Sequence, residues 1–267
     1  MIKRPRRLVL LGRSLGHTLS PRFQNAALRD AGLTLTYESL DIPASALEST
    51  LEQLSAEDAA GNVTIPYKQR VYARCDRLTG IASRACAVNT FWFERGELVG
   101  DNTDVGGFDA TARQLLGHEP ANITVGLLGA GGAAAAVLAA VERWRGCRVL
   151  VHNRTVERAR ELSARFSTIA QTSDVERIGA DADLVVNATS VGLRDDAQPI
   201  SLALLRPTAS VFDLVYRPGE TAWVREARAR GHCATDGLSM LVEQGALAFE
   251  QWFGFPPNRQ AMWAAVR

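Results

Sequence analysis

Short apolar runs alternate with amphipathic helical stretches along nearly the whole chain, an alternation typical of βαβ units. In the first part of the chain, the apolar runs predict strands at residues 8–11, 36–42, 61–64, 87–92 and 97–99. Helices are predicted between them at residues 21–31, 46–54, 67–73 and 79–85. The pattern therefore predicts a first α/β unit.

The second part of the chain repeats the alternation with shorter, more continuously apolar runs, at residues 123–128, 148–152, 184–187 and 211–214. Such runs indicate strands buried on both faces, as in a parallel sheet covered by helices. We expect the seam between two α/β units on a helix at 104–116. A last long helix, about 237–253, has one broad apolar face and is expected to pack back across that seam.

Composition and charge indicate which kinds of partner the protein binds. The chain has 267 residues, 46% hydrophobic and 22% charged, and its net charge of +1 gives no general field that attracts nucleic acid or a membrane. Its longest apolar stretch, 133–141, is shorter than the ~18 residues of a spanning helix. The four cysteines are dispersed, without zinc-ligand spacing. We expect a soluble cytoplasmic protein with free thiols, no metal site and a small-molecule partner.

A glycine-rich loop follows the predicted strand at 123–128 and runs into a predicted helix at 133–144. Its residues form a G-x-G-x-x-A pattern: Gly129, Ala130, Gly131, Gly132, Ala133 and Ala134. In this context Gly129 permits a tight turn, Gly131 lets the backbone approach a pyrophosphate, and Ala134 allows close packing of helix on strand. The helix N-terminus adds unpaired N–H groups and positive potential. The loop predicts a dinucleotide-binding site.

The end of the next strand indicates which dinucleotide is bound. NAD sites carry an acidic residue about 20 residues after the glycines, whereas the 2′-phosphate of NADP requires cations. Here the sequence is Asn153-Arg154-Thr155 with Arg158, and no carboxylate occupies that position. Arg154 and Arg158 at a helix start are expected to face one side and hold a phosphate with Thr155, which favours NADP. The alternative is a solvated helix start that Thr155 caps.

Polar clusters in the first unit stand where strands end and helices begin, which is where open α/β sheets bind ligands. In His17-Thr18-Leu19-Ser20-Pro21, the ordinary interpretation is that Ser20 is an N-cap and Pro21 the first helical residue. The functional interpretation adds the hydroxyl of Thr18, which can join Ser20 beside the helix N-terminus. Together they would form a small anion site fit for a carboxylate.

Two further segments carry a candidate proton-transfer pair. Thr64 ends a strand at a predicted cap position, and Lys68 lies in the first turn of the next helix. In Asn102-Thr103-Asp104, Thr103 or Asp104 can simply cap the following helix, just as Lys68 can be a solvated surface charge. If Lys68 and Asp104 converge, however, they can polarise a carbonyl and supply the proton that hydride reduction of a ketone requires.

Jointly, these motifs resemble the shikimate dehydrogenase family over nearly the full length of the chain. In the first unit the resemblance rests on Thr18 to Pro21 with Asn25, Asn62 to Pro66 with Lys68, Ala87 to Thr90, and Asn102 to Asp104 with Gly107 and Phe108. In the second it rests on the glycine loop, Asn153 to Thr155, Asn187 to Ser190, Tyr216 to Pro218 with Thr221, and Gly237 through Met240 to Gln244.

The resemblance implies a fold and a reaction. The fold is two α/β domains around a cleft: a substrate domain with a mostly parallel sheet, residues 1–104 plus 238–267, and a Rossmann-type NADP-binding domain, residues 105–237. The reaction is NADPH-dependent reduction of 3-dehydroshikimate to shikimate in aromatic amino acid biosynthesis. Lys68 and Asp104 would carry its proton transfer.

The resemblance also implies which residues bind the ligands. The substrate would be held by Thr18, Ser20, Thr64, Asn89, Asp104, Tyr216 and Gln244. The cofactor would be held by Gly129, Ala130, Gly131, Gly132, Ala133, Asn153, Arg154, Thr155, Arg158, Thr189 and Gly237.

Three positions depart from the family's usual residues. Thr18 replaces a serine, Cys86 replaces a glycine before the A-V-N-T segment, and Gly245 replaces an alanine after Gln244. One methyl group or hydrogen bond near a substrate ring shifts preference by about tenfold or more, so quinate and aminoshikimate are the rival substrates. A non-catalytic NADP-binding regulatory protein is a third alternative, which the joint presence of Lys68 and Asp104 disfavours. The sequence is compatible with a monomer or a homodimer.

Overall fold

The computed structural model describes residues 4–267 as two compact α/β units. Residues 1–3, where the predicted substrate domain begins, lie outside the described range. The first unit comprises the described residues up to Gly107 together with Leu241–Arg267, and the second is Phe108–Met240. Within residues 4–267, no helix is both long enough and apolar enough to cross a membrane.

The sheet of the first unit contains β1 (Arg7–Gly12), β2 (Tyr37–Asp41), β3 (Ala59–Val63), β4 (Arg77–Leu78), β5 (Thr90–Glu94) and β6 (Glu97–Asp101). Their order is β2-β1-β3-β5-β6-β4. Strand β1 is parallel to β2 and β3, and β4 is parallel to β6, whereas β5 runs antiparallel to both of its neighbours. The sheet is therefore mostly parallel, as predicted.

The first helices of the chain are α1 (Ser20–Asp30), α2 (Leu47–Ala56), α3 (Lys68–Tyr72), α4 (Gly80–Ala85) and α5 (Thr103–Leu116). Alternate residues of β1 enter two different cores, because side chains on a strand point to opposite faces. Leu8 joins a cluster with Phe23 of α1, whereas Val9 joins a cluster with Leu51 of α2. Both faces of the sheet are thus buried.

The predicted strand at 87–92 is shorter in the structure, where β5 starts only at Thr90. The reason is the end of α4: its C-cap residue, Cys86, has a left-handed backbone with φ 50° and turns the chain out of the helix. Left-handed backbone favours glycine, which gives a physical reason for the glycine expected at this position.

The sheet of the second unit contains β7 (Thr124–Leu128), β8 (Arg148–His152), β9 (Ala170–Thr172), β10 (Leu184–Asn187), β11 (Ser210–Asp213) and β12 (Ala234–Thr235). Their order is β12-β11-β10-β7-β8-β9, and every pairing is parallel. If β7 is numbered as strand 1 and the sheet is read from the β9 edge, this is the 3-2-1-4-5-6 order of doubly wound dinucleotide-binding folds. The second unit is a Rossmann-type domain.

The remaining helices are α6 (Gly132–Val141), α7 (Val156–Arg165), α8 (Val175–Asp181), α9 (Ala222–Ala229), α10 (Gly237–Phe253) and α11 (Arg259–Ala264). The boundaries between the two units fall inside α5 and α10. In the first unit, the C-terminal part of α10 contributes Phe249 and Trp252 to the cluster that contains Phe23.

Candidate active site

Lys68 and Asp104 meet in the first unit. Lys68 is the first residue of α3, after β3, and Asp104 is the second residue of α5, after β6. The Nζ of Lys68 donates to Oδ2 of Asp104 at 2.5 Å, and the two side chains are 20% and 9% exposed. The pair is partly shielded from water, yet the Lys68 side chain stays partly exposed, so a ligand can approach it.

The carboxylate of Asp104 is available for this contact because a different residue caps α5. The N–H of Asp104 donates to Oδ1 of Asn102 at 3.2 Å, and Asn102 donates in turn to the carbonyl of Ala87 at 2.8 Å. The alternative in which Thr103 or Asp104 caps the helix is therefore wrong. Asn102 takes the cap position, since it directly precedes the first helical residue.

Asn89 connects the pair to α10. Its Nδ2 donates to Oδ1 of Asp104 at 2.7 Å and to Oε1 of Gln244 at 3.2 Å. Its Oδ1 accepts from the N–H of Thr103 at 2.7 Å, which fixes the orientation of the amide. Gln244 is held from the other side by donation to the carbonyl of Leu241 at 2.7 Å. The structure thus joins four predicted site residues, Lys68, Asp104, Asn89 and Gln244, in one hydrogen-bonded network.

Thr64 does not occupy the predicted cap position, because the N-cap of α3 is Tyr67. A turn separates Thr64 from the helix: its carbonyl accepts from the N–H of Tyr67 at 2.9 Å. The hydroxyl of Thr64 has no hydrogen-bond partner within residues 4–267 and is half-buried, which leaves it free for a ligand.

The hydroxyls of Thr18 and Ser20 lie side by side at the N-terminus of α1. The Oγ1 of Thr18 donates to Oγ of Ser20 at 3.3 Å and accepts from the N–H of Ser20 at 3.3 Å. The prediction of Ser20 as N-cap is wrong: Leu19 is the N-cap, and Ser20 and Pro21 are the first two helical residues. Thr18, two residues before the first helical residue, accepts from the Ser20 N–H instead.

Sequence reasoning missed a contact between α1 and α10. The Nε2 of Gln24 donates to the carbonyl of Gly245 at 2.9 Å, beside Gln244. A Cβ added to Gly245 would lie 2.3 Å from Cε2 of Phe23, so the glycine is what lets that ring pack against α10. The partners are 221 residues apart in the chain, and no local pattern could have shown this contact.

The glycine loop of the second unit has the geometry expected of it. Gly129 has φ +114°, and a Cβ there would lie 2.8 Å from the carbonyl oxygen of Ala188. Gly131 is the N-cap of α6 without a side-chain cap. Added Cβ atoms on Gly131 and Gly132 would meet nothing within 4 Å, so a pyrophosphate has room beside the helix N-terminus. Ala134 is buried, and Ala130 and Ala133 are partly exposed.

The arginines after β8 are placed differently from the prediction. Helix α7 begins at Val156 with Thr155 as its N-cap, so Arg154 precedes the helix and the helical i, i+4 argument for Arg154 and Arg158 is wrong. The alternative is correct only in part: Thr155 is the N-cap residue of an exposed helix start, but its side chain makes no cap bond. Both arginines are exposed, and neither pairs with an acidic residue of the described chain. Asn153 holds the turn by donating to the carbonyl of Thr155 at 2.8 Å.

Thr189 and Gly237 lie in segments that follow β10 and β12. The hydroxyl of Thr189 donates to Oδ1 of Asn187 at 2.6 Å and accepts from the N–H of Val191 at 3.1 Å. A Cβ on Gly237 would lie 2.2 Å from the carbonyl oxygen of Leu214, so the glycine permits close backbone packing. Tyr216, half-buried, follows β11.

Asp213 was not singled out from the sequence, although it is the most buried carboxylate near these segments. It is 0% exposed and accepts three hydrogen bonds: from Nδ2 of Asn187 at 2.8 Å, from the N–H of Val215 at 3.1 Å, and from Oγ1 of Thr221 at 2.8 Å. Burial raises the pKa of its carboxyl to about 6, against the opposing effect of the three donors.

The chain is similar to known proteins over nearly its full length. Three family models match successive parts of the chain: "Shikimate dehydrogenase substrate binding domain" at 10–91, "Shikimate / quinate 5-dehydrogenase" at 110–193, and "Shikimate 5'-dehydrogenase C-terminal domain" at 237–267. A relative from Rubrobacter xylanophilus named shikimate dehydrogenase (NADP(+)) is 41% identical, with 96% of this chain and 94% of the relative covered.

Solved structures give the same result. Shikimate 5-dehydrogenase from Thermus thermophilus, in complex with NADP(H) and shikimate, has a TM-score of 0.90 at 39% identity, with 97% of each chain covered. Quinate dehydrogenase from Corynebacterium glutamicum, in complex with NAD, has a TM-score of 0.90 at 28% identity, with 98% of this chain and 99% of that chain covered. The chain belongs to the shikimate dehydrogenase family.

Proposed function

We propose that this chain is an NADP-dependent shikimate dehydrogenase that reduces 3-dehydroshikimate reversibly to shikimate. The observation that carries the proposal is the 2.5 Å contact between Lys68 Nζ and Asp104 Oδ2, held in a network with Asn89 and Gln244. A protein that only binds a dinucleotide has no use for such a pair. The 41% identical relative named shikimate dehydrogenase supports shikimate over quinate, since the quinate dehydrogenase is 28% identical.

The proton-transfer step belongs to Lys68. NADPH, when bound, supplies the hydride. The Lys68 ammonium donates a hydrogen bond to the substrate oxygen and gives that oxygen its proton as the ketone becomes an alcohol. Asp104 holds the ammonium in place, and Asn89 fixes the carboxylate by occupying its other oxygen. In the reverse direction Lys68 takes the proton back.

Substrate binding is assigned to the first unit. The hydroxyls of Thr18 and Ser20 and the N-terminus of α1 would hold the carboxylate, because N–H groups and positive potential meet there. Thr64, Asn89 and Gln244 would bind the ring hydroxyls. As the one exception, we also propose a substrate contact for Tyr216, a residue of the second unit.

Dinucleotide binding is assigned to the second unit, whose residues fit NADP. Gly129, Gly131 and Gly132 leave the space that a pyrophosphate needs, flanked by Ala130 and Ala133. Arg154 and Arg158 offer cations without acidic partners in the described chain, which suits a 2′-phosphate, and Thr155 offers a free hydroxyl. Asn153, Thr189 and Gly237 would complete the site.

The test is the initial rate of NADP reduction with shikimate, quinate and aminoshikimate in parallel, each repeated with NAD. We expect shikimate with NADP to give the highest kcat/KM. A preference for another substrate would identify a specialised member of the family and direct attention to Thr18 and Gly245. A lack of turnover with all three substrates would overturn the proposal.

We infer a cytoplasmic location for the protein. Its four cysteines, Cys75, Cys86, Cys147 and Cys233, are all free, as is usual in a reducing compartment. A monomer and a homodimer are both compatible with this function, and light scattering distinguishes them.

A further inference from the structure

Three neighbouring strands of the Rossmann-type domain bring Asp213 to the dinucleotide site. In the sheet register, Asp213 of β11 lies opposite Asn187 of β10, and Asn187 lies opposite Leu128 of β7. Leu128 directly precedes Gly129. Strand order reverses between β7 and β10, and open α/β sheets bind their ligands at this switch point.

Hydrogen bonds extend from Asp213 into the segments that carry predicted ligand contacts. On one side Asp213 accepts from Asn187, whose Oδ1 accepts from both the N–H and the hydroxyl of Thr189 at 3.0 and 2.6 Å. On the other side Asp213 accepts from Val215 and Thr221, which bracket Tyr216. A single carboxylate therefore links the Thr189 segment with the Tyr216 segment.

The carboxylate has no cation to compensate for its burial. Within residues 4–267 no lysine or arginine pairs with Asp213, and its hydrogen bonds all come from neutral donors. Asp236, the residue directly before α10, adds charge repulsion to Asp213. The charged neighbours of Asp236 are in turn Glu220 and Arg228. An unpaired buried charge destabilises the fold, which is unusual for a residue that only supports packing.

We propose that the ionised side chain of Asp213 is a positioning residue for dinucleotide binding, which orders Thr189 through Asn187 and the Tyr216 segment through Val215 and Thr221. This inference rests on the proposed function, because it assumes that the second unit binds NADPH. An asparagine can still accept from Asn187 and Val215 through Oδ1, but its Nδ2 cannot accept from the hydroxyl of Thr221. Asp213→Asn therefore weakens the hydrogen-bonded link between the Thr189 and Tyr216 segments without removing it.

The test is the Kd of NADPH, measured by fluorescence titration from pH 5 to pH 8 for the wild type and Asp213→Asn. The 2′-phosphate of NADPH titrates near pH 6 as well, but the ratio of the two Kd values at each pH cancels that effect. We expect the variant to bind about fivefold more weakly at pH 8, because charge-assisted hydrogen bonds become neutral ones. The ratio should approach one at pH 5, where the wild-type carboxyl is protonated.

Two further variants distinguish a role of Asp213 in NADPH binding from a general effect on the stability of the fold. Asp183 is the control at the opposite end of the sheet: it precedes β10, accepts from the N–H of Thr124 at 2.8 Å and pairs with Arg206, so Asp183→Asn should leave the Kd unchanged. Asp236→Asn removes the repulsion and can keep the cap bond to the N–H of Leu238, so it should move the pH midpoint of the affinity downward. This second test does not require Asp213→Asn to fold.

A Kd ratio that is constant with pH, or a midpoint that Asp236→Asn moves upward, overturns the positioning role while leaving the proposed function intact. Absence of NADPH binding by the wild type at every pH overturns both.

Discussion

Gly245→Ala tests whether the packing of α1 against α10 shapes the substrate side. The new Cβ would lie 2.3 Å from Cε2 and 2.8 Å from Cζ of Phe23, and the ring is 0% exposed, so it cannot swing into solvent. Overpacking of this kind costs about 1–3 kcal/mol. Replacing a mid-helix glycine by alanine stabilises by about 1 kcal/mol. The balance predicts a net loss on the order of 1 kcal/mol, which lowers the Tm by a few degrees.

The same substitution should affect substrate binding, because it displaces the backbone next to Gln244 and strains the bond from Gln24 to the carbonyl of Gly245. We expect the KM for shikimate to rise several-fold with a smaller change in kcat. The assays are thermal unfolding and initial rates. Phe23→Leu in the same chain should relieve the clash, so the two substitutions should be non-additive.

A matched control is Gly80→Ala, because Gly80 is an exposed helix residue whose added Cβ meets nothing within 4 Å. This variant should keep the wild-type Tm or exceed it. The packing argument is refuted if Gly245→Ala behaves like Gly80→Ala, with an unchanged KM for shikimate.

Three other predictions follow from single residues. Arg154→Ala should raise the KM for NADPH about tenfold or more while leaving that for NADH unchanged, because a phosphate contact is lost; Arg160→Ala, which changes another exposed arginine, is the control in the same rate assay. Cys86→Gly should stabilise the protein by about 0.5–1 kcal/mol in urea unfolding, because the backbone at φ 50° disfavours any residue with a Cβ. Because the pKa of Asp213 is raised from 3.8 to about 6, its protonated carboxyl contributes to the free energy of unfolding. That contribution is full below pH 3.8 and is lost as the pH rises through about 6. The unfolding free energy of Asp213→Asn, relative to the wild type, should therefore increase by about 3 kcal/mol between pH 3.5 and pH 8, and an unchanged difference would contradict the shift.

Local pattern was sufficient to predict most strands and the helices beside the site. Strands β7, β8 and β10 are short apolar runs, and Arg148–His152 and Leu184–Asn187 were predicted with their observed bounds. Strands β4, β9 and β12 have only two or three residues, too few to show a period, and they were not predicted.

Hydrogen-bond partners were harder to predict from the sequence than strands and helices. The segment 102–104 indicated a cap, but only the structure shows that Asn102 takes it and that Asp104 is left for Lys68. The roles of Asn89 and Gln24 depend on partners far along the chain, and periodicity carries no information about such contacts. The helical placement of Arg154 failed because helix boundaries read from pattern are uncertain by a few residues.

The central claim is that Lys68 transfers the proton in an NADP-dependent reduction, and the most direct measurement is kcat for Lys68→Ala with shikimate and NADP. The kcat should fall by about 10²–10⁴, because a positioned acid–base group contributes that much, while the Kd of NADPH stays near the wild-type value. An unchanged kcat would remove Lys68 from the chemistry. A wild-type protein that binds NADPH without any turnover would instead favour a non-catalytic binding protein.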